Sequence, residues 1–227
     1  MYPHSFHRIQ RVSPSCLHDF SCGVPNLDRF LVDDALDYAV AGLTQTVVVF
    51  SAEDPIPSAY FSLSTDGMPL DFVEKNHLYL NFDCPLNYFP AVKITKLAVR
   101  SSLQSKGMGT SLIGAIEGLA HTPQVSIRLL TVDAANNSRA MSFYLRHGFR
   151  ISRRHEERVR TRRAIDGSVN AASHSVLMYR DLYDPEDAHP PASRWPNALR
   201  VEERLPNAWA ERDARQRVVR SDARRWI

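Results

Sequence analysis

Apolar residues recur at helical spacing in three segments of the chain, which predicts three main helices. The first follows Asn26, a typical N-cap residue, and stops at Gly42. The second begins near Gly109. The third begins near Ser138 and stops at Gly148, a residue type that commonly follows the last turn of a helix.

Runs rich in β-branched and aromatic residues predict the strands between these helices. They cover residues 46–50, 59–64, 92–99, 126–133, 149–152 and 174–179. Asp66-Gly67 predicts a hairpin turn after the second run, and residues 78–82 alternate too weakly to decide between strand and loop. The order α, β, β, (β), β, α, β, α, β, β predicts an α/β fold with a central mixed sheet flanked by helices.

The composition of the chain changes near residue 183. Residues 1–183 carry the periodic elements and are expected to form one domain, and the proline-rich residues 184–193 are expected to be a linker. Residues 194–227 hold all three tryptophans and nine arginines but few apolar positions. This tail is either an amphipathic segment that docks on the domain or on a partner, or a solvated extension.

Overall composition is that of an ordinary soluble protein, with 44% hydrophobic and 23% charged residues and a net charge of +3. The three cysteines show no CxxC spacing, so neither a disulfide framework nor a metal site is indicated. No apolar run approaches the roughly 18 residues of a membrane span, and no signal-peptide core is found near the N-terminus. We therefore expect a cytoplasmic protein that does not interact with membranes.

The loop between the strand ending near Val99 and the helix beginning near Gly109 carries candidate chemistry. A helix N-terminus leaves N–H groups without partners, and these favour an anion such as phosphate. Gly107 and Gly109 remove side chains that would keep a ligand from the backbone, and Lys106 adds a positive charge. The alternative is an ordinary strand-to-helix loop in which the glycines only ease the turn.

Two motifs in this sequence resemble those of a known family. The segment Leu97-Ala-Val-Arg-Ser-Ser-Leu-Gln-Ser-Lys-Gly-Met-Gly109 resembles motif A of the Gcn5-related N-acetyltransferases (GNAT), in which Gln/Arg-x-x-Gly-x-Gly/Ala follows a strand. Gln104, Gly107 and Gly109 fill that pattern. Twenty-eight residues beyond Gly109, the segment Asn137-Ser-Arg-Ala-Met-Ser-Phe-Tyr-Leu-Arg-His-Gly-Phe149 resembles motif B. The resemblance covers about residues 5–182 and leaves the tail unexplained.

The resemblance implies a GNAT-like fold and an acetyl-CoA-dependent N-acetyltransferase. Tyr144 matches the family tyrosine that protonates the leaving thiolate, and its alternative is a core aromatic at helical spacing. Asn137 would bind the cofactor arm, cap a helix, or do both, and the backbone of Leu97 and Val99 would pair with the pantetheine arm. The pyrophosphate would be cradled by consecutive loop residues: Gln104, Ser105, Lys106, Gly107, Met108, Gly109 and Thr110.

A finer resemblance lies in Phe20-Ser-Cys-Gly-Val-Pro-Asn-Leu-Asp-Arg-Phe-Leu31, which looks like the opening of the toxin-type acetyltransferases of bacterial toxin–antitoxin pairs. Those enzymes acetylate the α-amine of aminoacyl-tRNA and block translation. A free α-amine has a pKa of ~7.7–8.0, against ~10.4 for lysine, and so needs little help from a base. Asp133 is adjacent to the site in sequence, but nothing marks it as a base. The implied partners are aminoacyl-tRNA and a ribbon-helix-helix antitoxin, and a homodimer is left open.

Arginines cluster between the last two predicted strands, where a positive surface would contact tRNA phosphates. The candidates are Arg150, Arg153, Arg154, Arg158 and Arg160. A solvated hairpin arm is the alternative for this segment. Two other functions stay open for the whole chain: acetylation of protein, peptide or small-molecule amines, and a non-catalytic role as an acetyl-CoA-binding protein or antitoxin partner.

Overall fold

The computed structural model describes residues 4–52, 54–121, 125–153 and 175–184. All of them belong to the unit Met1–Trp195. The tail and, apart from Asp184, the linker lie outside the described residues, as does the greater part of the arginine-rich segment. The domain boundaries near residues 183 and 193 therefore stay predictions.

Seven strands in the described part of the chain form one mixed sheet. They are β1 His4–Arg8, β2 Gln45–Ser51, β3 Ala59–Met68, β4 Phe89–Val99, β5 Leu129–Ala135, β6 Arg150–Ile151 and β7 Ser175–Asp181. Their order across the sheet is β1-β2-β3-β4-β5-β7-β6. All neighbouring strands are antiparallel except β4 and β5, which are parallel. The predicted α/β fold with a mixed sheet is confirmed.

The helices are α1 Pro25–Arg29, α2 Ala35–Val40, α3 Phe72–Asn76, α4 Met108–Ala120 and α5 Ser138–Arg146. A π-helical turn, Phe30–Asp34, joins α1 to α2, so the first predicted helix is one helical segment with a wider turn in its middle. Its N-cap is Val24 rather than the predicted Asn26. Pro25 supplies the first helical residue, where the missing N–H removes no helical hydrogen bond.

One expectation about the strands is wrong, and one strand was not predicted. Asp66-Gly67 does not form a hairpin turn, because β3 continues through these residues to Met68 and Gly67 pairs with Pro90 of β4. The connection is instead residues 69–88, which contain α3. The strand that was not predicted is β1, an edge strand that is mostly exposed and therefore lacks the apolar run by which a strand is recognised.

The two faces of the sheet have different cores. One face packs against α4 and α5 through residues that include Ile94, Leu112, Ile116, Leu130 and Phe149. The opposite face carries two separate clusters, because successive strand residues point to opposite sides. One cluster joins α1, the π-turn and α2 to the sheet through Phe30, Leu31, Tyr60 and Ala98. The other lies around Met68, Leu78, Leu129 and Tyr179.

Candidate active site

The parallel strands β4 and β5 separate halfway along their length. Their pairing covers Ala91 to Ile94 of β4 and Leu129 to Val132 of β5. β4 nevertheless continues to Val99 and β5 to Ala135. The second half of β4 is therefore paired with β3 on one edge only, and its other edge faces an opening.

A bulge in β4 marks the point of separation. Ser62 and Leu63 of β3 pair with Lys96 and Ile94, so Thr95 is the extra residue between them. The Thr95 hydroxyl donates a hydrogen bond of 3.0 Å to the carbonyl of Ser62. An extra residue bends its strand and increases the local twist, which accounts for the divergence of β4 from β5 at this position.

The unpaired edge of β4 presents the backbone of alternate residues to the opening. The Arg100 N–H donates to the Ser58 carbonyl beyond the start of β3, while the Val99 carbonyl accepts a hydrogen bond from Gln104 Nε2 instead. Backbone groups of successive strand residues point to opposite edges. The N–H and C=O groups of Leu97 and Val99 therefore point into the opening, as expected for residues that pair with an extended ligand.

A cleft of about 760 Å³ occupies this opening. The following candidate residues lie on its walls: Leu97, Val99, Gln104, Ser105, Gly107, Gly109, Thr110, Asn137 and Tyr144. Lys106 and Met108 do not. The Lys106 ammonium donates to the Ser102 carbonyl at 2.9 Å, and Met108 packs against the core beneath α4.

The beginning of α4 is suited to hold an anion. Gly107 occupies its N-cap position with φ +86° and has no side chain to cap the helix, whereas Asp71 caps α3 and Asn137 caps α5. Ser105 also has a left-handed backbone, with φ +61°. The first N–H groups of a 13-residue helix thus lie uncapped beside the cleft, where the helix dipole adds to their attraction for a phosphate.

Gly109 has a packing role that the sequence does not indicate. A Cβ atom at this position would lie 2.9 Å from Cε2 and 3.1 Å from Cζ of Phe143 on α5. The missing side chain therefore lets α4 approach α5. Gly107, in contrast, has no heavy atom within 4 Å of such a Cβ and is needed for its backbone conformation.

The Gln104 side chain connects three parts of the cleft. Its Nε2 donates to the carbonyls of Cys22, at 2.8 Å, and Val99, at 2.9 Å. Its Oε1 accepts a hydrogen bond of 2.7 Å from Arg139 Nη2. The loop is thereby fixed to the N-terminal segment, to β4 and to α5. Sequence reasoning missed Arg139, for which the only signal is its position in the first turn of the predicted third helix.

Tyr144 lies on the cleft wall with only 8% of its surface exposed. Its ring packs edge-on against Phe143 and Phe149, with centroid distances of 5.1 and 5.2 Å. Burial raises the pKa of its phenol well above the ordinary value near 10. The hydroxyl is therefore protonated at any physiological pH and is available as a proton donor.

Two other titratable groups on the cleft wall are engaged with neighbours. The Asp133 carboxylate forms an ion pair of 2.7 Å with Lys93. His147 Nδ1 lies 2.7 Å from the Phe143 carbonyl, and because a carbonyl only accepts, this nitrogen carries a proton. In a neutral ring, Nε2 then accepts from the Thr110 hydroxyl at 3.0 Å.

Of the candidate tRNA-contacting arginines, the structure describes Arg150 and Arg153, and neither lies on the cleft wall. Arg150 is ion-paired with Asp184 at 2.8 Å, and Arg153 with Asp71 at 2.8 Å. Arg154, Arg158 and Arg160 lie outside the described residues. A nucleic-acid role for this set stays a prediction.

No group of three or more His, Cys, Asp or Glu side chains within the described residues could hold a metal ion. No helix of the described part is long and apolar enough to cross a membrane.

The family model of the GNAT acetyltransferase domain matches residues 70–151, which include the loop at Gln104 and the helix that carries Tyr144. These residues match a GNAT acetyltransferase domain, and the described part of the chain has the GNAT fold. The protein is thus an acetyl-CoA-dependent N-acetyltransferase. The cleft fits this donor, because the uncapped start of α4 suits its pyrophosphate and the free edge of β4 suits the amide groups of its pantetheine arm.

Solved structures of bacterial toxins share this GNAT fold. A bacterial toxin superposes with a TM-score of 0.58 at 15% identity, over 80% of this chain and 92% of that one. A tyrosine-to-phenylalanine mutant of KacT gives a TM-score of 0.56 at 22% identity, over 79% and 95%. AtaT complexed with acetyl-methionyl-tRNAfMet gives 0.57 at 18% identity, over 77% and 94%. At these identities the likeness establishes the fold.

Proposed function

We propose that this acetyltransferase acetylates the α-amine of aminoacyl-tRNA and thereby inhibits translation. The observation that carries the proposal is the absence of a free general base in the described cleft. Asp133 is the only carboxylate among the described lining residues, and it is paired with Lys93. His147 is held on both ring nitrogens by Phe143 and Thr110.

A cleft without a free base favours an acceptor whose amine is already largely neutral. Deprotonating a lysine of pKa ~10.4 at pH 7 costs about 4–5 kcal/mol, whereas an α-amine of pKa ~7.7–8.0 costs about 1 kcal/mol. The ester linkage of an aminoacyl-tRNA lowers the α-amine pKa further. An acceptor of this class therefore needs no general base, and the described residues of the cleft offer none that is free.

Acetyl-CoA supplies the activated thioester, and the protein supplies orientation and a proton. The free edge of β4 would hold the pantetheine arm through the backbone of Leu97 and the N–H of Val99, because the Val99 carbonyl already accepts from Gln104. Tyr144 donates its phenolic proton to the sulfur as the carbon–sulfur bond breaks and the carbon–nitrogen bond forms. The surplus proton of the acceptor amine is released, and the phenol regains its proton before the next turnover.

The solved relatives add support from their own complexes. AtaT has been solved with acetyl-methionyl-tRNAfMet, and a mutant of AtaT with acetyl-CoA and the C-terminus of its antitoxin AtaR. By analogy we propose a ribbon-helix-helix antitoxin as partner of this chain and the cytoplasm, where charged tRNA occurs, as its location.

Acetyl transfer from labelled acetyl-CoA to bulk charged tRNA tests the proposal. We expect label on aminoacyl-tRNA but not on deacylated tRNA or on tRNA whose aminoacyl amine is already acetylated. Tyr144→Phe should abolish most of the transfer while leaving acetyl-CoA binding intact. Acetylation of peptides or small amines while aminoacyl-tRNA stays unmodified would contradict the acceptor, and unchanged growth inhibition by Tyr144→Phe would favour a binding role.

A further inference from the structure

Arg139 differs from half of the ten described arginines in its electrostatic environment. Arg100, Arg128, Arg150, Arg153 and Arg180 each form an ion pair with a carboxylate. Arg139 is exposed on the wall of the cleft and has no ion-pair partner among the described residues. Arg146, seven residues later on the same helix, also lines the cleft and adds a second positive charge.

The hydrogen bond from Arg139 to Gln104 fixes where its guanidinium lies. Gln104 cannot reverse its amide without breaking two bonds from its Nε2 to the carbonyls of Cys22 and Val99. Its Oε1 is therefore held in place as an acceptor for Arg139 Nη2, at 2.7 Å. The guanidinium is thereby positioned next to the first residue of the Gln104–Thr110 loop.

A guanidinium carries five N–H donors, and the bond to Gln104 uses one of them. The others remain for a ligand in the cleft. Planar, forked donors of this kind suit the paired oxygens of a phosphate, and a donor that is already held in position loses less entropy when it binds. The uncapped start of α4 attracts an anion from the other side of the same loop.

We propose that Arg139 is a donor-binding residue whose guanidinium contacts the pyrophosphate of acetyl-CoA. Together with the loop amides it selects acyl donors that carry the pyrophosphate over those that end at pantetheine. This inference rests on the donor site alone and does not depend on which amine accepts the acetyl group.

Calorimetric titration without any acceptor tests the proposal. We expect Arg139→Ala to weaken acetyl-CoA binding by about 10–100-fold, as for the loss of a hydrogen bond to a charged group. The affinity of Arg139→Lys for acetyl-CoA should lie between those of Arg139→Ala and the unmodified protein, since the lysine ammonium keeps the charge but not the forked donors. Arg8→Ala, which removes an exposed arginine from the edge strand β1, is the matched control and should bind as the unmodified protein does.

A series of donors identifies the group that Arg139 contacts. The loss of affinity in Arg139→Ala should be equal for acetyl-CoA and for 3′-dephospho-acetyl-CoA, which keeps the pyrophosphate. For S-acetylpantetheine, which lacks the pyrophosphate, Arg139→Ala should lose no affinity. The affinity of the unmodified protein should also fall more steeply with salt concentration than that of Arg139→Ala, a difference that a purely structural role would not produce.

Three results would overturn the proposal: equal affinities for Arg139→Ala and Arg8→Ala, a loss confined to donors with the 3′-phosphate, or an equal loss with S-acetylpantetheine. None of them bears on the acceptor, so failure here is distinguishable from failure of aminoacyl-tRNA acetylation.

Discussion

Replacing Gly109 by alanine should push α4 and α5 apart at the donor site. The new Cβ would lie 2.9 Å from Cε2 of Phe143, whereas carbon atoms in good contact are ~3.5–4.0 Å apart. The ring must therefore move by about 0.5–1 Å. It cannot move freely, because it packs on His147 with a centroid distance of 4.4 Å and on Tyr144 with 5.1 Å.

Two opposing effects set the expected change in the free energy of unfolding of Gly109→Ala. Overpacking costs about 1–3 kcal/mol, while replacing a helical glycine by alanine gains about 0.5–1 kcal/mol. We therefore expect Gly109→Ala to lower the free energy of unfolding by about 1–2 kcal/mol. The rate of acetyl transfer should fall by up to about 100-fold, since Phe143 precedes Tyr144, the proposed proton donor, and a displacement of ~1 Å can cost that much.

Urea denaturation and steady-state acetyl transfer measure the two effects, and a second substitution tests their cause. Phe143→Leu removes the ring atoms that clash, so the double variant should regain part of the stability lost in Gly109→Ala. Gly107→Ala is the matched control, because its Cβ meets no heavy atom within 4 Å and only the left-handed backbone is strained, at about 1–2 kcal/mol.

The reasoning would be refuted if Gly109→Ala were as stable and as active as the unmodified protein. It would also be refuted if Phe143→Leu restored Gly107→Ala as well as it restored Gly109→Ala, because the effect would then not come from the contact with the ring.

Three further predictions concern single side chains. Tyr144→Phe should lower kcat by about 10²–10⁴-fold. The buried phenol, whose pKa is raised, should produce no alkaline fall in kcat near pH 10, and such a fall that disappears in Tyr144→Phe would contradict this. Gln104→Glu should be less stable to urea than Gln104→Ala, because one carboxylate oxygen would face the carbonyls of Cys22 and Val99, a repulsion that the exposed bond of the other oxygen to Arg139 offsets only in part. The reverse order would be inconsistent with those contacts. Burial acts to raise the pKa of Asp28, but hydrogen bonds, chiefly from the Cys22 N–H, lower it on balance. The stabilisation that the ionised Asp28 carboxylate contributes is therefore complete above the unfolded carboxyl pKa of ~3.9. It is lost as the pH falls through the lower pKa of the folded state. The stability difference between the unmodified protein and Asp28→Asn should therefore be largest at neutral pH and shrink in acid, and a pH-independent difference would count against the shift.

Features that depend on neighbouring residues could be predicted from the sequence. The helices α4 and α5 follow from apolar spacing, and the end of α5 also follows from Gly148, whose φ angle of +75° few other residues adopt. The mixed sheet follows from the order of the elements. The motif positions of Gln104 and Tyr144 then direct attention to the cleft on whose wall both residues lie.

Features that depend on distant residues could not be predicted from the sequence. Asp66-Gly67 has the composition of a hairpin turn, yet the Asp66 carboxylate accepts a hydrogen bond of 2.6 Å from Thr131 of β5, a partner 65 positions away. Such a contact holds β3 extended against the local preference of its sequence. The same holds for the contact between Gly109 and Phe143 and for the bond between Gln104 and Arg139, which no local pattern encodes.

The position of the cleft follows from one irregularity in the sheet. Were β5 to pair with β4 beyond Ile94, the backbone groups of Leu97 and Val99 would have partners within the protein and no ligand could use them. The extra residue Thr95 ends that pairing and leaves the edge open. Unpaired backbone groups cost about 1–3 kcal/mol each when shielded from water. Gln104 relieves one of these costs by donating to the Val99 carbonyl, and under the proposed function the amide groups of an extended donor would pair with the remaining groups as a missing strand does.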